Sequence, residues 1–445
     1  MTRARDRVEH FLDRIARLDP SLNAIRCLAD DSRARADACD ATPSSGPLHG
    51  RVVLVKDNVA VAGLPLTAGA RALAGFRPRR DATIVARLRA AGAIVLGKTN
   101  LTEFADYVGE TMPAEFSGLG GVVRHPFGAR YDRGFGSSVG SACAMAAGLC
   151  DIAIGSETQN SIQTPAAASM VVGLKPTVGL VSRAGIVPLA ISQDTAGPIC
   201  ANVADAALAL QVLAGADLED TLTLASAGRG AVASVAGALR LGVARDVYFG
   251  RAGHSEADGI VEAAIGRIAA TGVTIVDPVD IPSARLVADL RSCVFRSEFK
   301  AALGAFFAAQ GAPVADMAEL VAWNRAHPEA IPFGQGLMEA ALESGLPLDH
   351  PTYRADRARD IALTRSGGID AALAAHDLDA IIVPGGAAAK MTGKAGYPAL
   401  TVPVGRMRDG QGVGVTLIGR AWSEARLLAA GLVVERAVPV ARPEL

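Results

Sequence analysis

Residues Ala82–Gly97 read ATIVARLRAAGAIVLG, and the fold class turns on how that stretch divides. Its first half has the pattern of an amphipathic helix, Gly92 is the stop, and the apolar run that follows is a strand. The same order recurs in IVEAAIGRIAATGVTIVD (Ile260–Asp277), and LDAIIVP (Leu378–Pro384) supplies a further apolar strand. Helices alternating with near-continuous apolar strands predict a layered α/β fold whose strands are buried on both faces.

Outward from these units, Val8, Leu12, Ile15 and Leu18 fall on one face of a helix predicted to end near Pro20. ATPSSGPLHG (Ala41–Gly50) is a loop with proline and glycine as breakers, and Val52–Val55 is a short strand that runs into Lys56-Asp57-Asn58. No short-period repeat and no long linker divides the chain. The expectation is one domain over 1–445, with a more helical lobe at about 217–345.

Composition narrows the function. The 44 Lys+Arg and 45 Asp+Glu residues leave little long-range pull toward nucleic acid or an anionic membrane. With 12 Phe, 5 Tyr and 2 Trp among 445 residues, a base-stacking platform is not expected. Half of the chain is hydrophobic, which excludes a disordered scaffold. No stretch approaches the roughly 18 apolar residues of a membrane helix. MTRARDRVEH (Met1–His10) is charged where a signal peptide is apolar, and the six cysteines form no C-x-x-C pair. Both features predict a cytoplasmic protein. The 48 glycines, about 11% against a typical 7%, concentrate between Gly118 and Gly197, where serines sit in glycine turns.

Three short motifs compete for attention. GAIVLGKT (Gly92–Thr99) matches the phosphate-loop pattern letter for letter. A phosphate loop needs free amides, however, and Ala93–Leu96 read as the strand itself, so ATP binding is not expected. Gly136-Ser137-Ser138-Val139-Gly140 matches a nucleophile elbow, but ARYDRGF before it is polar and turn-like rather than a strand. Ser297-Glu298-Phe299-Lys300 has the S-x-x-K spacing inside what reads as an ordinary amphipathic helix.

What remains is Lys56 after a strand, Ser137-Ser138 in a glycine turn, and Ser161 in GSETQNSI. Around these residues the chain resembles the amidase signature family. GRVVLVKDNVAVAGLPLTAG (Gly50–Gly69) is similar to its lysine segment, and GLKPTVGLVSRAGIVPLAISQDTAGP (Gly173–Pro198) to its most recognisable run. GYPALTVPVG (Gly396–Gly405) and LIGRAWSEARLL (Leu417–Leu428) look like its C-terminal signature, so the likeness extends over about 45–435. EFKAALGAFF (Glu298–Phe307), NRAHPEAIPFGQGLMEAA (Asn324–Ala341) and Glu157 resemble the bacterial peptide-amidase branch.

The resemblance implies a large twisted mixed β-sheet covered by helices on both faces, and hydrolysis of a carboxamide C–N bond through an acyl-enzyme. Ser161 would be the nucleophile, Ser137, 24 positions earlier, the bridging serine after a cis peptide bond from Gly136, and Lys56 the base. A hydroxyl needs such a base, and lysine serves only when neutral, with its pKa brought down about three units by burial. The backbone N–H groups of Thr158, Gln159, Asn160 and Ser161 would form the oxyanion hole. No metal or cofactor is implied. The lone residues permit a blander reading, in which Lys56 makes an ion pair with Asp57.

The chain departs from the family around both serines. Gln159-Asn160 stands where small residues and glycine are usual, Phe135 and Val139 replace residues that are commonly glycine, and Gln163 stands where many members have arginine. Asn tolerates left-handed backbone geometry, which would let the turn survive. Gln159, Asn160, Ser138 and Phe135 are therefore the expected substrate contacts, with a small-molecule or peptide carboxamide as substrate and a homodimer left open. The alternatives are the amidase-like subunit of a tRNA-dependent amidotransferase, and an acyl-transferring or non-catalytic binding derivative of the fold.

Overall fold

The computed structural model describes residues 3–43, 46–131, 135–227 and 238–445. Its centre is an eleven-stranded mixed sheet. In chain order the strands are β1 (Ile25–Leu28), β2 (Val52–Lys56), β3 (Ile94–Thr99), β4 (Phe116–Ser117), β5 (Gly121–Val122), β6 (Ile152–Glu157), β7 (Val172–Lys175), β8 (Thr195–Cys200), β9 (Arg240–Ala244), β10 (Thr274–Val279), β11 (Ala380–Pro384), β12 (Ala399–Arg406) and β13 (Gly412–Ile418). β4 and β5 form a separate hairpin, and the large sheet runs β1-β3-β2-β6-β8-β7-β12-β13-β11-β9-β10. β3, β2 and β6 are mutually parallel neighbours, as are β11, β9 and β10, while the remaining pairings are antiparallel.

The deciding stretch divides as its pattern predicts. A helix covers Thr83–Ala90, Gly92 turns the chain at φ +87°, and β3 begins at Ile94. Glycine is required there because a side chain at that φ is strained. Every residue of β3 is buried, and both its edges are occupied, by β1 and β2. The amides of the phosphate-loop match are therefore already spent: those of Gly92 and Ala93 donate to the Arg89 and Leu88 carbonyls, and β3 is paired along both edges.

Side chains of the central strands alternate between two cores. Val53, Val55, Val95 and Ile154 join one, with Ile84, Val85 and Leu88 of the Thr83–Ala90 helix. Val52, Leu54, Ile94 and Leu96 join the other, with Val8, Phe11 and Ile15 of the Ala4–Leu22 helix and the small residues of the Val139–Ala146 helix. Both faces are thus covered. The N-terminal helix ends at Leu22, near Pro20 as expected, with the proline in its last turn.

The expectation of strands buried on both faces fails at β10, the sheet edge, where Val279 alone is buried. Pro278 lies in this strand, which is where a strand proline costs no ladder bond. The 217–345 region contributes β9 and β10 to the same sheet and packs three helices, Val294–Gln310, Met317–Ala326 and Gly336–Ser344, beside it. Ser297-Glu298-Phe299-Lys300 lies inside the first of these. Among the described residues, no helix is long and apolar enough to cross a membrane.

Candidate functional site

The parallel strands β2 and β6 end side by side, and the candidate residues gather at their carboxyl ends, where α/β sheets commonly bind ligands. Lys56 is the last residue of β2 and is fully buried. Its Nζ lies 2.7 Å from Ser137 Oγ, 3.1 Å from Ser156 Oγ and 3.3 Å from the Ser156 carbonyl oxygen. Burial drives its pKa down to about 7, against the pull of the Glu157 and Asp194 carboxylates. The blander reading of Lys56 is set aside by the partner it would need. Asp57 is bound instead by Lys98.

Ser137 follows a cis peptide bond from Gly136, and Ser138 leads into the Val139–Ala146 helix. The residues just before, 132–134, lie outside the described part of the chain. The sequence reading puts Ser138 at the substrate, but its side chain is turned inward and fully buried. Its Oγ donates to the Ser156 carbonyl (3.1 Å) and accepts from the Ser156 N–H (3.3 Å), so its hydroxyl is spent on joining this turn to β6.

Ser161 lies in the turn between β6 and the short helix Gln163–Ala168. Glu157 builds that turn: its Oε2 accepts from the N–H groups of Ile162 (2.6 Å) and Gln163 (2.9 Å). Gln163, fully buried, adds its side-chain amide to the other carboxylate oxygen and to Thr392 Oγ1 at 3.2 Å. Its position is thereby explained without an arginine. The Ser161 carbonyl accepts from the Ser138 N–H at 3.1 Å, which ties the two serine turns together. Ser161 Oγ makes no hydrogen bond among the described residues. The N–H groups of Gln159 and Ser161 likewise have no acceptor there, so both are available to an incoming oxygen.

Neither Gln159 nor Asn160 has a positive φ. The turn needs no left-handed residue at these positions, which corrects the reason given for tolerating Asn160. Gln159 Nε2 donates to Gln193 Oε1 (3.1 Å) and Thr158 Oγ1 to Asp194 Oδ1 (2.6 Å), so the turn leans on the Gln193-Asp194 segment. Asp194 also accepts from the N–H groups of Leu189 and Ala190, while burial raises its pKa. Phe135 is half-buried and lines a separate cavity of about 380 Å³ with Thr164, Gly386 and Gln411.

Four residues that shape this centre were not singled out from sequence: Asn58, Ser156, Gln193 and Asp194. Their contacts cross between strands and loops up to 100 residues apart in sequence. One signal was available for Ser156, which directly precedes Glu157 near the end of an apolar strand.

Comparison with known proteins follows the same lines. The family model described as Amidase matches residues 6–395. The crystal structure of native peptide amidase from Stenotrophomonas maltophilia superposes with a TM-score of 0.93 at 38% identity, covering 100% of this chain and 95% of that one. A probable amidase of Arabidopsis thaliana is 30% identical over 98% of this chain and 87% of its own length. A glutamyl-tRNA(Gln) amidotransferase component from Synechococcus sp. (strain CC9605) is 33% identical over 99% of this chain and 95% of its own. With the lysine and both serine turns set at the ends of the parallel strands, this chain belongs to the amidase family and is an amide-hydrolysing enzyme.

Proposed function

We propose that the enzyme cleaves a peptide or small-molecule carboxamide through an ester on Ser161. Ser161 Oγ attacks the carbonyl carbon, its proton passes to Ser137 Oγ, and the Ser137 proton passes to neutral Lys56 Nζ. The carbonyl oxygen becomes an oxyanion that the N–H groups of the 158–161 turn stabilise as its charge develops. Lys56 returns its proton through Ser137 to the leaving nitrogen, the C–N bond breaks, and ammonia or an amine departs. Water then attacks the ester by the same relay, which regenerates Ser161 and releases the acid. No metal or cofactor enters this sequence.

The observation that carries this reading is the 2.7 Å contact between Lys56 Nζ and Ser137 Oγ, at a lysine whose burial brings its pKa to about 7. A base poised near working pH combines sufficient basicity with an adequate neutral fraction. The likeness to peptide amidase favours a peptide carboxamide as the substrate class. Purified protein should release ammonia from a panel of peptide and small carboxamides, and Ser161→Ala and Lys56→Ala should each abolish release. Full activity in Ser161→Ala would end this mechanism.

The amidotransferase relatives support a second reading, in which the chain serves a multisubunit tRNA-dependent reaction. Carboxamide hydrolysis by the chain alone, with no glutamine preference, would decide against it.

A further inference from the structure

Beside the base lies a small cavity of about 20 Å³, lined in part by Asn58, Ala105, Ser156, Thr158 and Asp194. Asn58 connects this cavity to the lysine. Its Nδ2 donates to Ser156 Oγ at 2.8 Å, and that oxygen lies 3.1 Å from Lys56 Nζ. Its Oδ1 is buried with no hydrogen-bond partner among the described residues. A buried amide oxygen left in this state is costly, and internal water is found where such unsatisfied polar groups border a cavity. A single water needs roughly 10–15 Å³ of such space and two to four polar partners. The volume fits one water, and Ser156, Thr158 and Asp194 supply polar groups beyond Asn58.

The geometry at Lys56 gives Asn58 a consequence. A neutral lysine amine has two N–H groups and one lone pair. Ser156 offers it two acceptors, the carbonyl oxygen and Oγ, and Ser137 Oγ is the nearest of its neighbours. With both N–H groups held by Ser156, the lone pair is left for the proton of Ser137. That arrangement depends on where the Ser156 hydroxyl sits, and Asn58 holds it.

We propose that Asn58, together with one water bound in this cavity, is a positioning residue that fixes the Ser156 hydroxyl and thereby aims Lys56 Nζ at Ser137. The proposal rests on the reading of Lys56 as the base and extends it to a residue that touches neither substrate nor nucleophile.

The test is a double-mutant cycle on carboxamide hydrolysis, with folding of each variant checked by thermal unfolding. Asn58→Leu should lower kcat about tenfold to a hundredfold, the scale of a misaligned catalytic group, with KM nearly unchanged. Combined with Ser156→Ala it should be no slower than Ser156→Ala alone, since the route through the hydroxyl is already gone. Ser156→Thr, which keeps a hydroxyl, should restore the sensitivity to Asn58→Leu. A crystal structure of the wild-type protein should show one ordered water within hydrogen-bond distance of Asn58 Oδ1. Additive losses in the double variant, an unchanged kcat in Asn58→Leu, or a dry cavity would each overturn the proposal. Lys56→Ala assayed alongside separates the two levels. If it is inactive while Asn58→Leu is not impaired, the positioning role alone fails; if it is active, the base itself was misread.

Discussion

Lys98 Nζ lies 3.0 Å from Asp57 Oδ1, with both side chains wholly buried. The pair joins neighbouring parallel strands, since Val55 faces Lys98 and Lys56 faces Thr99 in the β2–β3 register. Lys98 Nζ also donates to the Pro65 carbonyl at 3.0 Å, and Asp57 accepts from Thr67. Two buried lysines on neighbouring strands thus have different fates. Lys98 has a carboxylate and stays engaged with it, whereas Lys56 has only serine groups within hydrogen-bond distance and loses much of its basicity to burial.

Breaking that pair should destabilise the protein rather than retune its chemistry. Lys98→Met leaves Asp57 buried without its cation, a change that costs about 3–5 kcal/mol. Denaturant unfolding of Lys98→Met and of the wild type should differ by that amount, and a difference below about 1 kcal/mol would mean that the pair is dispensable.

Gly393 should prove essential for turnover. It backs onto the Ser161 turn so closely that a Cβ there would stand 2.6 Å from the Thr158 carbonyl oxygen and 2.6 Å from Gln159 Cγ. One of these obstacles is backbone, so Gly393→Ala must displace the turn whose N–H groups we propose as the oxyanion hole. The expected loss is about a hundredfold in kcat, as for a small misplacement of reacting groups. Steady-state kinetics on a folded Gly393→Ala protein check it; wild-type kcat would show that the turn has slack.

Glu103 should make stability depend on pH. It is buried, its Oε2 accepts from the Gly118 N–H at 2.7 Å, and burial pushes its pKa up from 4.5 to about 8. Between those values the folded chain holds a proton that the unfolded chain has released. The stabilisation is therefore complete at low pH and is lost as pH rises toward 8. Glu103→Gln removes this titration. Thermal melts should show the variant gaining on the wild type as pH goes from 5 to 9, and a constant difference would contradict the assignment.

The fold was legible because its units are local. Gly92 closes a helix and opens a strand within sixteen residues, and the alternation of Val52 to Val55 between two cores needs only a strand with both faces covered. The phosphate-loop match was legible as a strand for the same reason. Lys56, Ser137 and Ser161 were nominated by resemblance rather than by spacing, and the structure sets Lys56 Nζ 2.7 Å from Ser137 Oγ. What stayed hidden depends on register. Nothing in KDN says that Asn58 reaches Ser156, and nothing in GSS says that Ser138 turns inward to the backbone of β6 while Ser137 meets Lys56. The strand-edge exposure of β10 was hidden likewise, because an apolar run does not reveal its place in the sheet order.

The central claim is that neutral Lys56 is the base, and the dependence of kcat/KM on pH for ammonia release tests it most directly. Below its pKa of about 7 the lysine is protonated and cannot accept the Ser137 proton. One controlling ionisation near 7 is therefore expected, with a loss of about tenfold per pH unit below it and a plateau above. A profile that stays flat from about pH 5 to 9 would contradict that role for Lys56.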